Sequence, residues 1–343
     1  MTNLAIDQKN VSWERLSGEV IAIQLATGHY YSMGGTSADI WSLLAKGSNL
    51  ETIIQILSSS YSLPVEAQIQ IQHFLDNATA VGLLTVVEGV TPTIEINLPD
   101  DSVFINEFLK ELERIKKFIN PDFIFIAQQV LDNKNESVHD YMDRFTKRLD
   151  FLTALHPDSI NSHTGKDFFS FGDNCKILEL SQQIEQKSGI PIWHEIHRGR
   201  FSFHLKTLQQ YLELFPNLSL VADFSHFCVV SESTLDDQQD LLVKLYPHIK
   251  HIHARVGFEQ SAQVNNPFAP EWETYLKRYT NWWQDILNLH KKKGLNSLTI
   301  TPECGPFPYM PQEPFTKKPL SNQWDTNVSM KDYLKQSLQY DGF

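Results

Sequence analysis

The sequence predicts an α/β chain in two parts. Residues 1–88 read as a small winged helix-turn-helix-like α+β domain, and residues 92–343 as a (β/α)8-type parallel barrel short of one strand. Three observations carry this reading. The first 88 residues run as short strands followed by helices. From residue 92 apolar strands alternate with amphipathic helices, the cadence of a parallel sheet. Polar side chains able to bind metal or move protons recur where the later strands finish, and barrels gather their reactive groups at that face.

Composition sets the outer limits. The 343 residues are 41% hydrophobic and 20% charged, enough for a sizeable core. The net charge is −12, and no basic stripe of the kind that neutralises phosphates is present, which argues against a nucleic-acid partner. The densest basic run, "HKKKG" at 290–294, reads as a solvated helix end. Cys175, Cys228 and Cys304 are odd in number and lack CxxC spacing, against both a disulfide framework and a thiolate zinc site. "MTNLAIDQKN" has no basic region followed by an apolar core, so no signal peptide is expected. No run approaches the roughly 18 apolar residues of a membrane span. The expectation is a soluble, cytoplasmic protein without membrane contact, its oligomeric state left open.

In the first part, "VSWERL", "EVIAIQ" and "HYYSMG" are short β-like runs, the last two joined through "LATG" as a hairpin. Three helices follow. "TSADIWSLLAKG" is expected to be capped by Thr36 or Ser37 and ended by Gly47. "NLETIIQILSSSYS" takes Asn49 as its cap, and "LPVEAQIQIQHFLDNATAVG" has Pro64 near its start and Gly82 at its end. "LLTVV" closes the segment. Lys9, Arg15 and Lys46 are the only lysines or arginines before residue 100, so a DNA-reading role is not expected.

Three stretches of this segment, "GEVIAIQLATGHYYSMGGTSADIWSLLAKG", "NLETIIQILSSSYSL" and "FLDNATAVGLL", resemble in order the PqqD-like domain, or RiPP recognition element. The resemblance implies that a ribosomally made precursor peptide docks its leader as an added strand against the third strand, beside the third helix. Backbone hydrogen bonds then supply affinity and side-chain pockets supply selectivity. Carried over, the leader would lie along His29, Tyr30, Tyr31, Ser32 and Met33, beside the helix spanning 65–77. The competing reading is a packing or dimerisation appendage.

The second part offers seven strands: "TIEIN" (93–97), "FIFIAQ" (123–128), "SINSHTG" (159–165), "PIWHEIH" (191–197), "SLVADFSH" (219–226), "HIKHIHARV" (248–256) and "SLTITPE" (297–303). Either an eighth is disguised or the first domain replaces the first βα unit. Five consecutive strands end in His163, Glu195, Asp223 with His226, His253, and Glu303. Side chains two apart share a strand face, so Glu195 and His197 point together while His194 points the other way. His251, His253 and Arg255 likewise share a face, as do Thr299, Thr301 and Glu303. Two glutamates, an aspartate and a histidine form a mixed oxygen and nitrogen set suited to Mn²⁺, Fe²⁺, Co²⁺, Mg²⁺ or Zn²⁺.

"NSHTGKDFFSF", "HEIHRGR", "ADFSHF", "HIHARVGFEQSAQV" and "TPECGPFPYMP" together resemble the xylose-isomerase-like TIM barrels, the sugar phosphate isomerase/epimerase superfamily. The resemblance implies one divalent metal held by Glu195, Asp223, His253 and Glu303, with Glu195 and Glu303 as paired acid/base carboxylates. It places His226 at the substrate or as a second ligand. Beyond Glu195, His197 and Arg198 would orient an oxygen-rich substrate, Arg255 would grip a carboxylate or phosphate, and His163 would join them. The remaining polar residues have blander readings. His194 packs behind the barrel, Arg200 forms a surface salt bridge, Cys228 is a small buried hydrophobe, and Trp282 and Trp283 pack.

Joined, the two parts point to a metal-dependent enzyme of the isomerase/epimerase type that modifies a leader-tethered precursor peptide. Epimerisation, hydrolysis and oxidation stay open. The alternative is an isomerase or epimerase of a small sugar or sugar phosphate, with the first domain as scaffolding.

Overall fold

The computed structural model describes the chain apart from residues 1–2, 8, 17, 47, 49, 61–66, 88–92, 100–101, 119, 296 and 340–343. Gly47, Asn49, Pro64 and Val65, which carry sequence expectations above, lie outside the described residues. Two compact units result, residues 1–92 with 99–123 and residues 93–98 with 124–343.

The first unit opens with β1 (Asn3–Ile6), β2 (Val11–Leu16), β3 (Glu19–Gln24) and β4 (Tyr30–Met33). Helices α1 (Thr36–Ala45), α2 (Leu50–Ser60) and α3 (Ala67–Ala80) follow, then β5 (Leu84–Val87). β2, β3 and β4 form an antiparallel sheet in that order, pairing Val20 with Met33 and Ala22 with Tyr31. Val20 and Ala22, two apart, face a core that includes Trp41, Ile53 and Leu75. The sequence reading missed β1, which pairs antiparallel with β5 from Asn3↔Val87 to Ile6↔Leu84. It also placed the first helix cap one residue late. Gly35 holds the cap position at φ 57, a left-handed backbone that glycine adopts freely, and neither Thr36 nor Ser37 acts as the cap.

The second unit begins with β6 (Thr93–Ile96). Helix α4 (Ser102–Phe118) belongs to the first unit and packs on α2. Strands β7 (Ile124–Gln129), β8 (Ser159–Ser162), β9 (Ile192–Glu195) and β10 (Leu220–Ala222) alternate with α5 (Val138–Thr153), α6 (Phe171–Ser188) and α7 (Leu205–Leu214). After β10 come α8 (Ser225–Ser231), the short α9 (Gln239–Leu242), β11 (Ile249–Ala254), α10 (Glu273–Lys292), β12 (Thr299–Pro302) and α11 (Gln323–Ser337). The seven strands β6 to β12 pair in chain order, all parallel. β12 returns beside β6 without a ladder between them, so the sheet is a nearly closed barrel with an open seam. Among the described residues no eighth strand joins it.

The helix starts follow their caps. Ser137 and Ser170 accept hydrogen bonds from the Asp140 and Asp173 amides, and Gly189 ends α6 at φ 71. Trp282 and Trp283 are buried on α10 in one apolar cluster with Leu220, Phe224 and Ile252, which makes them packing residues as read from sequence. No described helix is long and apolar enough to cross a membrane.

Candidate functional site

Buried parallel strands leave their last inward side chains at the mouth of the barrel, and here those are charged. Glu195 ends β9, His253 lies near the end of β11, and Asp223 and Glu303 follow β10 and β12 directly. The chain turns from β10 straight into α8, and Asp223 Oδ1 accepts the Ser225 amide at 3.1 Å, which fixes that carboxylate. Glu195, Asp223 and His253 bring one ligand atom each within 4.8 Å of one another, all three buried. Glu303 Oε2 stands 2.7 Å from His253 Nδ1.

Below this layer lies a residue the sequence reading passed over. Glu95, in the middle of β6, has a side chain only 2% exposed. Its Oε2 sits 2.8 Å from His253 Nε2 and 3.1 Å from His251 Nε2, while Oε1 accepts Asn161 Nδ2 at 2.7 Å. With Nε2–H donated to Glu95, His253 turns its Nδ1 toward the carboxylates above. The same Asn161 amide donates to Glu195 Oε2 at 2.7 Å, and His163 Nε2 lies 2.9 Å from that oxygen.

The charge balance is one-sided. Among the described residues, Arg255 is the one arginine or lysine in ion-pair contact with Glu95, Glu195, Asp223 or Glu303. Its Nε donates to Asp223 at 2.9 Å, its Nη2 to Glu303 at 2.6 Å and its Nη1 to Gln263 at 2.9 Å. Burial disfavours charge on His253, yet the charges of Glu303, Glu95 and Glu195 outweigh it and hold the imidazole well above its ordinary range. Burial likewise opposes charge on Glu195, but His163 and His253 keep its carboxyl well below the usual value. Burial dominates at Asp223, pushing it up to about 6 against the pull of Arg255.

This set fits a divalent cation. His253 Nδ1 and Glu303 Oε2 are buried and lack a hydrogen-bond partner among the described residues, although they lie 2.7 Å apart. The two atoms have the spacing of neighbouring ligands on one ion, about 3 Å for metal–oxygen bonds near 2.1 Å, and an ion there would replace the proton that the carboxylates hold on His253. Among the described residues neither ring nitrogen of His226 has a hydrogen-bond partner, and its Nε2 is 3.4 Å from Asp223 Oδ2. Burial keeps that ring neutral, so its lone pair stays free for a ligand.

The other expected residues fall in several places. The His163 and His226 rings flank His197, with centroids 4.5 and 3.9 Å away. His197 Nε2 meets the Tyr309 hydroxyl at 3.0 Å. Arg198 is exposed, 5.3 Å from the Tyr309 ring, while Arg255 lies 4.3 Å from that ring with its fork occupied by Asp223, Glu303 and Gln263. His194 is turned away, hydrogen-bonded to Thr164 and Ser181 and pushed down to about 3 by burial. Arg200 departs from its reading as a surface salt bridge: it is buried and has no carboxylate partner among the described residues. In the first unit, β4 is the edge of its sheet, with Tyr30 and Ser32 exposed and Met33 buried.

Asn161 and Tyr309 were also missed, though Asn161 shares a strand face with His163 and Tyr309 falls in the loop expected to overhang the mouth. For Glu95 the signal was a lone carboxylate between Ile94 and Ile96 in an apolar strand.

Residues 19–84 match the family model of coenzyme PQQ synthesis protein D, PqqD. Among solved structures, the chain is similar to TbiB1 in complex with the TbiA(beta) leader peptide, at 27% identity over 25% of this chain and 98% of that one, TM-score 0.23. It is similar to the IOLI protein with a binding zinc atom, at 16% identity over 72% of this chain and 90% of that one, TM-score 0.47. A third similarity is to D-psicose 3-epimerase in the presence of D-fructose, at 12% identity over 72% and 89%, TM-score 0.42. No curated protein matches the sequence.

Proposed function

We propose that this protein is a divalent-metal-dependent barrel enzyme of the isomerase/epimerase type that modifies a ribosomally made precursor peptide held by its N-terminal domain. The domains are taken as residues 1–88 and 92–343. The observation that carries the reading is the pairing, in one chain, of a PqqD match at 19–84 with a carboxylate-rich barrel mouth in which Asp223 and Glu303 share Arg255. Tethering a leader raises the local concentration of the attached core peptide at the mouth.

Glu195, Asp223, His253 and Glu303 are the metal ligands in this reading. The ion would act as a Lewis acid that stabilises negative charge developing on a neighbouring substrate oxygen. The chain's own part is positional. Asn161 and His163 hold Glu195 in its ionised form, and Glu95 fixes the His253 tautomer. Glu303, whose side chain is 24% exposed, reaches into the mouth and pairs with Glu195 as the second acid/base carboxylate. His163, His197, His226 and Arg198 face the substrate. Arg255, with its fork engaged, holds Asp223 and Glu303 in place.

Glu95→Gln is expected to weaken metal binding about 10- to 100-fold, the usual effect of losing an outer carboxylate behind a ligating histidine. A chelator competition titration reads this directly. An unchanged affinity would remove Glu95 from the centre.

The leader is proposed to pair along His29, Tyr30, Tyr31, Ser32 and Met33. The Gln24 amide donates to the His29 carbonyl at 2.9 Å, and hydrogen-bonded pairs alternate along an antiparallel ladder. Ala22↔Tyr31 therefore bonds inward, and the Tyr30 and Ser32 amides face the open edge. Ser32→Pro removes an outward donor where an edge strand tolerates proline. It is expected to weaken binding of a precursor leader peptide about tenfold. Metal content should not change. Leader binding that ignores this substitution, or no leader binding by the wild type, would move the reading to the sugar-type isomerase.

A further inference from the structure

Beside the carboxylate cluster the barrel mouth carries a second charged group of opposite sign. Lys166 follows β8, Arg200 follows β9 and Asn133 follows β7, so the three hang from consecutive βα loops. Lys166 is 5% exposed and Arg200 7%. The Lys166 ammonium donates to Asn133 Oδ1 at 2.6 Å and lies 5.9 Å from the Tyr141 ring centroid. A lysine has three N–H donors, and one is engaged here. The Nε and Nη1 atoms of Arg200 are buried and have no hydrogen-bond partner among the described residues. The neighbouring carboxylate, Glu136, is already joined to Arg144 at 2.5 Å.

Two buried cations with no carboxylate in ion-pair contact among the described residues form a costly arrangement unless a ligand completes it. We infer that Lys166, Arg200 and Asn133 form an oxyanion subsite that anchors a carboxylate or phosphate of the substrate at the barrel mouth. The planar fork of Arg200 can engage two oxygens, and Lys166 adds a point charge beside it. Burial and the charge of Arg200 push Lys166 down to about 8, consistent with an incomplete site that an anion would relax. On the peptide reading, on which this inference rests, the anion is the carboxylate of an acidic core-peptide residue.

Isothermal titration of full-length protein carrying Glu195→Gln, chosen to remove the competing metal, with inorganic phosphate and with N-acetylglutamic acid α-amide provides the test. Arg200→Met or Lys166→Met in that background is expected to weaken anion binding about 10- to 100-fold. Arg200→Met should also raise Tm by about 2–4 °C, because it deletes an unpartnered buried charge. Tighter binding of the carboxylate probe supports the peptide substrate, and tighter phosphate binding supports the same subsite with a sugar phosphate. No anion binding in the Glu195→Gln protein, or binding indifferent to both substitutions, overturns the subsite. If Arg200→Met fails to fold, the affinity of the Lys166→Met protein decides. Leader binding reports on the N-terminal unit alone, so failure there and failure here are separate results.

Discussion

Glu195→Gln is expected to leave the barrel folded and strip it of its divalent ion. The substitution keeps the shape and the oxygen that accepts from Asn161, but removes the charge that His163 and His253 stabilise. Among the proposed carboxylate ligands Glu195 is the one without an arginine partner among the described residues, since Asp223 and Glu303 share Arg255. Losing it should cost more than about 100-fold in metal affinity, beyond the range for an outer-shell partner. Metal analysis after dialysis should fall from about one ion per chain to a small residue. The metal-free protein should stay folded with a modest loss of stability, since the depressed carboxyl pKa means that His163 and His253 favour the charge being removed. A fully loaded Glu195→Gln protein would sink the ligand assignment. A protein that unfolds would instead show that Glu195 mainly satisfies Asn161 and His163.

Much of this architecture is legible in the sequence because both signals are local. A buried parallel strand reads as an apolar run, and the polar residue after it marks the mouth, so Glu195, Asp223, His253 and Glu303 stand out by position alone. The interactions that organise those residues are not local. Glu95 meets His251 and His253 across separations of 156 and 158 residues, and nothing in "TIEIN" indicates that its glutamate faces a histidine pair. The strand β1 was missed for the same reason, since its partner lies some 80 residues away at Leu84–Val87. Arg255 and Arg200 show the limit from the other side. Each is an arginine shortly after a strand, and only the fold distinguishes the one saturated by two carboxylates from the one left without any.

That contrast sets the second large effect. Arg255→Met should destabilise the metal-free barrel by about 3–5 kcal/mol, the cost of stranding a buried charge by removing its partner. The guanidinium is 4% exposed and joins Asp223, Glu303 and Gln263 at once. Burial opposes its charge, but Glu303 and Asp223 hold its pKa above the ordinary value. Without it, Asp223, already at about 6 through burial, is pushed further up. A carboxyl whose folded pKa exceeds its unfolded value loses stability as pH rises between the two. The deficit should therefore be largest near neutral pH and shrink until pH falls below about 4, where Asp223 carries its proton in both states. Bound metal supplies positive charge to the same carboxylates, so saturating divalent ion should recover part of the loss. Thermal unfolding of the barrel transition across pH, with and without metal, would show a Tm drop on the order of 10 °C in the neutral metal-free sample. A deficit independent of both pH and metal would mean that Arg255 contributes mainly through its packing on Tyr309.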